Sequence, residues 1–284
     1  MMQRETGGTS GLKMRVLMDP QVFYFVEVGG IQRVFAELYR HFPRDGRVEV
    51  LWPSWFGSNW YAQRAGMPQR TFITRARFRG KGRLSKLLNR YSFARTHRRT
   101  CPNLVHPTFY DTDFLQEIGD TPVVVTVHDM LSEAKLDKTC GRNYSHRQGK
   151  RIRQNKRILV ERAGRIIVVS NATKAALLQY FDVNPHKIDV IYPASSLSPR
   201  KQYQTLPPVV PRPYILFVGG RRPYKNFPRF AAAVAPILRC LGVRLLCAGR
   251  TPFSLEEKQM LSRLGIGDRV DRKLLSERAL CRAY

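Results

Sequence analysis

Two pairs of glycines, two histidines, an aspartate and two closely spaced cations hold most of the chemistry this sequence offers. The densest group is Gly219-Gly220-Arg221 with Lys225 four residues on, inside YILFVGGRRPYKNF (214–227). Paired glycines let backbone N–H groups approach an anion, and the start of a helix adds a favourable dipole. A guanidinium fork matches phosphate oxygens, and a lysine adds a point charge. A diphosphate is the guest these groups suit. They equally suit an ordinary strand-to-helix turn with solvated cations, because the pattern is neither a Walker loop nor G-x-G-x-x-G. A second pair, Gly29-Gly30, opens another helical stretch. His128 and Asp129 close the apolar run PVVVTVHD, and His106 closes LVH. For Asp129 and His106 a satisfied structural hydrogen bond is as good a reading as a role in chemistry.

The elements that would position these residues read as alternating strands and helices. Arg15–Asp19, Val48–Trp52, Leu104–His106, Pro122–Asp129, Arg165–Ser170 and Ile188–Tyr192 are β-rich runs, and the unbroken Val/Thr run before His128 suits a buried parallel strand. After Gly30, Ile31, Val34, Phe35, Leu38 and Tyr39 recur at helical spacing. Ser170 or Asn171 can cap a helix over Ala172–Phe181. Tyr214–Val218, Val243–Gly249 and Val270–Leu274 read as strands. Between the first and second of them Phe227, Phe230, Ala231, Val234, Ile237 and Leu238 mark a helix that Asn226 can cap. In open α/β sheets ligands gather at the carboxyl ends of strands, where each glycine pair and His128 fall. The fold class expected is α/β with two Rossmann-like domains. The boundaries are a leader at 1–13, a first domain at 14–193, a Pro- and Ser-rich linker at 194–213 and a second domain at 214–284.

Composition sets further bounds. The chain has 284 residues, enough for two domains, and its 43% hydrophobic content is ordinary for a globular protein. No apolar run reaches the roughly 18 residues of a membrane helix. The leader lacks the apolar core of a secretory signal, and Met14 is a candidate start. Five cysteines without a C-x-x-C pair fit a reducing cytoplasm, with Cys240 and Cys247 read as core thiols. A formal charge of +28 predicts attraction to polyanions. Between Gln69 and Thr100 there is no acid, and Leu84, Leu87, Leu88, Tyr91 and Ala94 form an apolar stripe among arginines and lysines. That is a reasonable anionic membrane surface element, peripheral at the inner face of the membrane. It is equally a helix packed on the sheet with solvated cations. A nucleic-acid partner is the weaker reading, since no RNP, zinc-finger or helix-turn-helix pattern is present.

VGGRRPYKNF resembles the V-G-x-R-x-x-Y-K-N-F signature that opens the donor domain of retaining glycosyltransferases of family 4, in particular their bacterial mannosyltransferase-like branch. VGGIQRVFAEL is similar to the family's G-G-I-x-R-x-x-x-E-L segment, TVHDM to T-x-H-D-M, and AGRIIVVSNATKAALL to A-x-x-I-x-x-V-S-x-x-T-K. The resemblance implies a GT-B fold and transfer of a sugar, mannose among the candidates. The donor would be a nucleotide-diphosphate sugar such as GDP-mannose, and the acceptor a surface glycan or a lipid-linked precursor. It implies no metal and no other cofactor. Arg221 and Lys225 would hold the diphosphate, with Gly219, Gly220, Gly29 and Gly30 against the same phosphates. His128 would stand at the reaction centre, and Asp129 and His106 would support the acceptor side. The chain stops before the family's acidic E-x-x-x-x-x-x-x-E motif, which implies a second domain that is incomplete. The rival reading is a non-enzymatic cationic protein that binds membrane or nucleic acid.

Overall fold

The computed structural model describes residues 13–25, 29–42, 46–53, 55–71, 80–136, 146–195, 209–211, 213–221 and 225–284. The contacts of the described residues divide them into two compact units, 13–136 with 146–193, and those from 194 to 284.

In the first unit β1 (Met14–Asp19) leads through α1 (Val22–Phe25) and α2 (Gly30–His41) to β2 (Val48–Leu51). A side layer follows: β3 (Trp55–Phe56), α3 (Trp60–Arg64), β4 (Gln69–Arg70) and the long α4 (Lys81–Thr100). Then come β5 (Leu104–Pro107), α5 (Leu115–Ile118), β6 (Val124–Val127), α6 (Leu131–Leu136), α7 (His146–Arg162), β7 (Arg165–Val168), α8 (Asn171–Tyr180) and β8 (Ile188–Val190). All strand pairs are parallel, in the orders β2-β1-β5 and β6-β7-β8, with β3 and β4 paired apart. A parallel bridge between Val105 and Val123 joins the two triplets, and the Val105 N–H donates to the Pro122 carbonyl at 2.8 Å. The strand order therefore reverses direction between β1 and β5, and in open α/β sheets a ligand crevice lies at such a reversal.

The strands are buried on both faces, as parallel strands are. Successive side chains of β1 alternate between two cores. Leu17 joins Val105, Val125, Val127, Ile166 and Val168 under Leu159 of α7 and Leu177 of α8. Val16 and Met18 join Phe35 and Ala36 of α2 with Trp52 and Trp55. Ser170 caps α8, its hydroxyl accepting the Thr173 N–H at 3.1 Å. α4 is stitched to β3 by Asn89, which accepts from the Phe56 N–H at 2.6 Å and donates to the Phe56 carbonyl at 3.1 Å.

In the second unit β9 (Tyr214–Val218), β10 (Arg244–Ala248) and β11 (Val270–Lys273) are parallel in the order β11-β10-β9. They alternate with α9 (Phe227–Cys240), α10 (Leu255–Arg263) and α11 (Glu277–Ala283). This is the βαβαβ arrangement of one half of a doubly wound sheet. One sheet face packs Leu245 and Cys247 against Phe227, Ala231, Ala235 and Leu238 of α9 and Leu261 of α10. The other packs Leu246 against Val210 and Ala283. The expectation of two core thiols holds for Cys247 alone. Cys240 is exposed, because the buried stripe of α9 runs through Leu238 and two further residues turn Cys240 out of it.

Candidate functional site

The first unit gathers its chemistry at the carboxyl ends of β1, β5 and β6. Gly29 stands at the N-cap of α2 in extended conformation, with no side-chain cap. A Cβ on Gly29 would lie 2.5 Å from Oε1 of Gln32, a buried side chain that donates to the Val22 carbonyl. Gly30 is exposed, with open space where a Cβ would be. One turn on, the buried Phe35 ring meets the rings of His106 and His128 edge-on, each at 5.8 Å. α2 thus ties the first glycine pair to both histidines.

The two histidines are placed differently. His106 is buried, and its Nε2 pairs with Thr126 Oγ1 at 2.8 Å. His128 is half-buried, and its Nε2 has no hydrogen-bond partner among the described residues. An orphaned buried nitrogen costs free energy unless a ligand or water meets it. Burial pulls both imidazoles down to about 4, helped at His106 by the neighbouring His128. At His128 the Asp129 charge opposes the effect and Lys156 adds to it. Both rings are neutral at pH 7.

The turn that carries His128 is clamped from beneath. The His128 N–H donates to the Tyr110 hydroxyl at 3.1 Å. Asp129 is exposed, and its Oδ1 accepts the Leu131 N–H at 3.1 Å, an Asx turn that starts α6. Lys156 of α7 is fully buried. Its ammonium donates to the Asp129 carbonyl at 2.9 Å, Ser132 Oγ at 3.2 Å and Glu133 Oε2 at 2.8 Å, and lies 4.8 Å from the Tyr110 ring centroid. Glu133 is fully buried as well, and its other oxygen has no partner among the described residues.

At the reversal between β1 and β5 stands Asp19, buried at the end of β1. Gln21 Nε2 donates to its Oδ2 at 2.7 Å, and the Thr108 hydroxyl donates to its carbonyl at 2.7 Å. Burial pushes the carboxyl up to about 7; Gln21 works against the shift and the charges of Asp111 and Asp113 work with it. Gln21 also exchanges two 2.8 Å hydrogen bonds with the backbone of Asp111. Asp19, Tyr110, Glu133 and Lys156 were not anticipated as site residues. The terminal acid of β1 was visible in the sequence. Lys156 had a signal too: it lies in phase with Ile152 and Leu159 on the apolar stripe of α7.

In the second unit the turn after β9 carries the other candidates. Gly219 has φ +110, which side-chain-bearing residues rarely adopt, and its N–H donates to the Ala248 carbonyl at 2.9 Å. A Cβ on Gly249 would meet the Gly219 carbonyl oxygen at 2.8 Å, so the turns after β9 and β10 touch through glycine. Gly220 and Lys225 are exposed. Asn226 occupies the N-cap of α9 in left-handed conformation, φ 54, and its side chain makes no cap bond. The expected side-chain cap is therefore absent, and Asn tolerates this backbone region better than most residues.

Arg221 is committed inside the unit. Its side chain is 3% exposed. Its Nε and one terminal nitrogen donate to the two carboxylate oxygens of Glu257 at 2.9 and 3.1 Å. The same terminal nitrogen reaches the carbonyls of Thr251 and Pro252, and the guanidinium lies 4.2 Å from the Phe253 ring centroid. Glu257 also forms the capping box of α10 with Ser254. The structure thus places Gly219 and Gly220 at the end of β9 and Lys225 just before α9, with Arg221 tying the strand end to α10. Among the described residues no group of His, Cys, Asp and Glu is arranged to hold a metal ion.

Parallel strands ending in glycine turns, in two units, define an α/β protein of Rossmann-like architecture. The family model described as Glycosyltransferase Family 4 matches residues 28–198, more than half of the sequence, and the chain belongs to that family. Among solved structures it is similar to Anabaena HepE in complex with UDP and glucose, with a TM-score of 0.59 and 17% identity over 95% of this chain and 72% of that one. It is also similar to a glycosyltransferase of Rickettsia africae, with a TM-score of 0.58 and 13% identity over 95% and 70% of the two chains. Sucrose-phosphate synthase of Thermosynechococcus elongatus has a TM-score of 0.56 and 14% identity over 95% and 72%. At these identities the likeness is one of fold, that of the GT-B glycosyltransferases. No curated protein sequence gives a significant match.

Proposed function

We propose that this chain transfers a hexose, mannose first among the candidates, from a nucleotide-diphosphate sugar such as GDP-mannose to a growing surface glycan or its lipid-linked precursor. Transfer retains the anomeric configuration and proceeds in the cytoplasm at the inner face of the membrane. One observation carries the reading: in a chain of this family, the exposed Gly220 follows β9 and the exposed Lys225 comes just before α9, whose N-cap residue Asn226 makes no side-chain cap bond. The Gly220 amide and the Lys225 ammonium meet the diphosphate. They offset the charge that grows on it as the sugar leaves, an effect that a pre-oriented site makes large. Arg221 acts there through its hold on the turn and by the positive field of its side chain. In the first unit the start of α2 at Gly29-Gly30 faces phosphate, and the neutral His128 offers to a sugar or acceptor hydroxyl an Nε2 that has no partner among the described residues. Asp129 and His106 keep that turn and its neighbour in place.

The test is a transfer assay with GDP-mannose and UDP-hexoses, using short glycan acceptors and reading product stereochemistry by NMR. Release of nucleotide diphosphate with an axial product from an axial donor is expected. Complete inertness toward every nucleotide sugar would remove the proposal. A second reading, a non-enzymatic cationic binder, is favoured by the charge of +28 and by the commitment of Arg221 to Glu257. It predicts an inert protein that binds DNA and anionic vesicles alike, with affinity falling steeply as salt rises.

A further inference from the structure

The long helix α4 has two apolar faces, and among the described residues only one of them is packed against the rest of the fold. Its inner face buries Asn89, Phe93 and Ala94. On its flanks Lys86 reaches Asp113 at 2.6 Å and Asp111 at 3.1 Å, while Arg90 reaches Glu117 at 2.9 Å and Gln116 at 2.8 Å. These contacts fix the helix and decide which residues point outward. Leu84, Leu87, Tyr91, Arg95 and Arg98 follow one another at spacings of three and four and are all exposed. The first three are 41, 65 and 60% exposed. Arg83 and Arg99 are exposed beside them, and α4 contains no acidic residue.

We propose that this outward face docks on the surface of an anionic phospholipid bilayer. Leu84, Leu87 and Tyr91 enter the boundary between headgroups and acyl chains, and Arg95 and Arg98 lie against lipid phosphates. An apolar stripe continued by cations on one helical face has the chemistry of an interfacial membrane element. Each basic residue near an anionic leaflet contributes on the order of 1 kcal/mol, which corresponds to about a fivefold gain in partitioning. The alternatives fit less well. Leucines offer nothing to a phosphodiester backbone. A second copy would bring another charge of +28 against the first. The stripe is also narrow beside the roughly 800 Å² per partner of a standard protein interface. The proposal does not depend on the sugar-transfer reading.

The experiment is vesicle flotation of the full chain with phosphatidylcholine alone and with phosphatidylcholine carrying phosphatidylglycerol, over a salt series. It uses the wild type, Leu87→Ser/Tyr91→Ser and Arg95→Ala/Arg98→Ala, with Leu87→Trp as a fluorescent reporter. Binding to the anionic vesicles is expected, reduced roughly tenfold or more in each double variant, with a blue shift of the reporter that brominated lipid quenches. The serine variant should keep its fold and its binding of soluble nucleotide sugar, since both side chains are exposed. Unchanged partitioning of the serine variant would overturn the proposal and assign binding to bulk charge. Loss of a concentration-dependent dimer in that variant, without loss of flotation, would overturn it in favour of self-association. A reporter that stays red-shifted on bound vesicles would equally exclude insertion.

Discussion

Lys156 and Glu133 form a fully buried ion pair beneath the His128 turn, and truncating either one strands the other. Removing one partner of such a pair costs about 3–5 kcal/mol, whereas replacing both with apolar groups is often neutral. Lys156→Met should therefore lower unfolding stability by that amount, and Lys156→Met/Glu133→Leu should recover most of it. Urea denaturation checks both. The double variant still frees the Asp129 carbonyl, so a folded protein with lowered kcat and near-normal donor KM is expected. A second prediction at this scale concerns pH. His106 and His128 fall from 6.5 to about 4 on folding, so between those values the unfolded chain holds two protons that the folded chain lacks. Asp19 rises from 3.8 to about 7, so in the same window the folded chain holds one that the unfolded chain lacks. From these three groups the unfolded state binds a net proton more, and stability falls by roughly 1.4 kcal/mol per pH unit as pH drops from about 6.5 to 4. Asp19→Asn removes the opposing contribution and should about double that slope, which denaturation midpoints across the window would show. It should also abolish the small loss of stability as pH rises from about 6.5 to 7, where Asp19 alone still titrates differently in the two states. The partners of these groups were hidden in the sequence, because Asp19–Thr108 and Lys156–Asp129 contacts join residues far apart in the chain.

At the scale of elements, the strands and helices were the most legible part. Runs such as Val124–Val127 and Tyr214–Val218 are too apolar to sit anywhere but inside a covered parallel sheet, and the glycine pairs mark where those strands turn. The outward side of α4 was not legible. Its sequence carries two apolar faces, and it takes contacts from distant segments, Asn89 with Phe56, Lys86 with Asp111 and Asp113, and Arg90 with Glu117, to show which of them packs. The same holds for Arg221, which reads as a free phosphate ligand but is held by Glu257, Thr251 and Pro252. The pairing depends on α10 returning to the end of β9, which no local pattern announces. Arg221→Ala should thus lower stability by on the order of 2 kcal/mol, through the charged hydrogen bonds it removes, besides weakening donor binding. Glu257→Gln should keep donor turnover while lowering the melting temperature, and thermal melts with steady-state kinetics on both variants separate the two contributions. Equal and total loss of turnover in both would show that the pair acts as one unit in binding.

For the whole molecule, the charge of +28 and the absence, among the described residues, of a helix able to cross a membrane set the terms. Such a charge speeds the approach of any anionic ligand and makes every affinity depend on salt, so a specific site must be told from a general attraction. Family membership was readable from the Gly29-Gly30 and His128-Asp129 motifs, which fall within the matched residues 28–198, and the fold from the alternation of apolar strands and helices around them. The identity of the sugar was not, because nothing in the spacing of these motifs distinguishes one hexose ring from another. The sharpest check on donor binding at the β9 turn is titration calorimetry of GDP-mannose and UDP-glucose into the wild type and Lys225→Ala, at two salt concentrations. Saturable binding of a nucleotide sugar is expected, persisting at the higher salt and weakening about tenfold or more in Lys225→Ala, whose lost side chain is exposed and leaves the fold intact. No saturable binding of either donor, or equal affinity in wild type and variant, would contradict it.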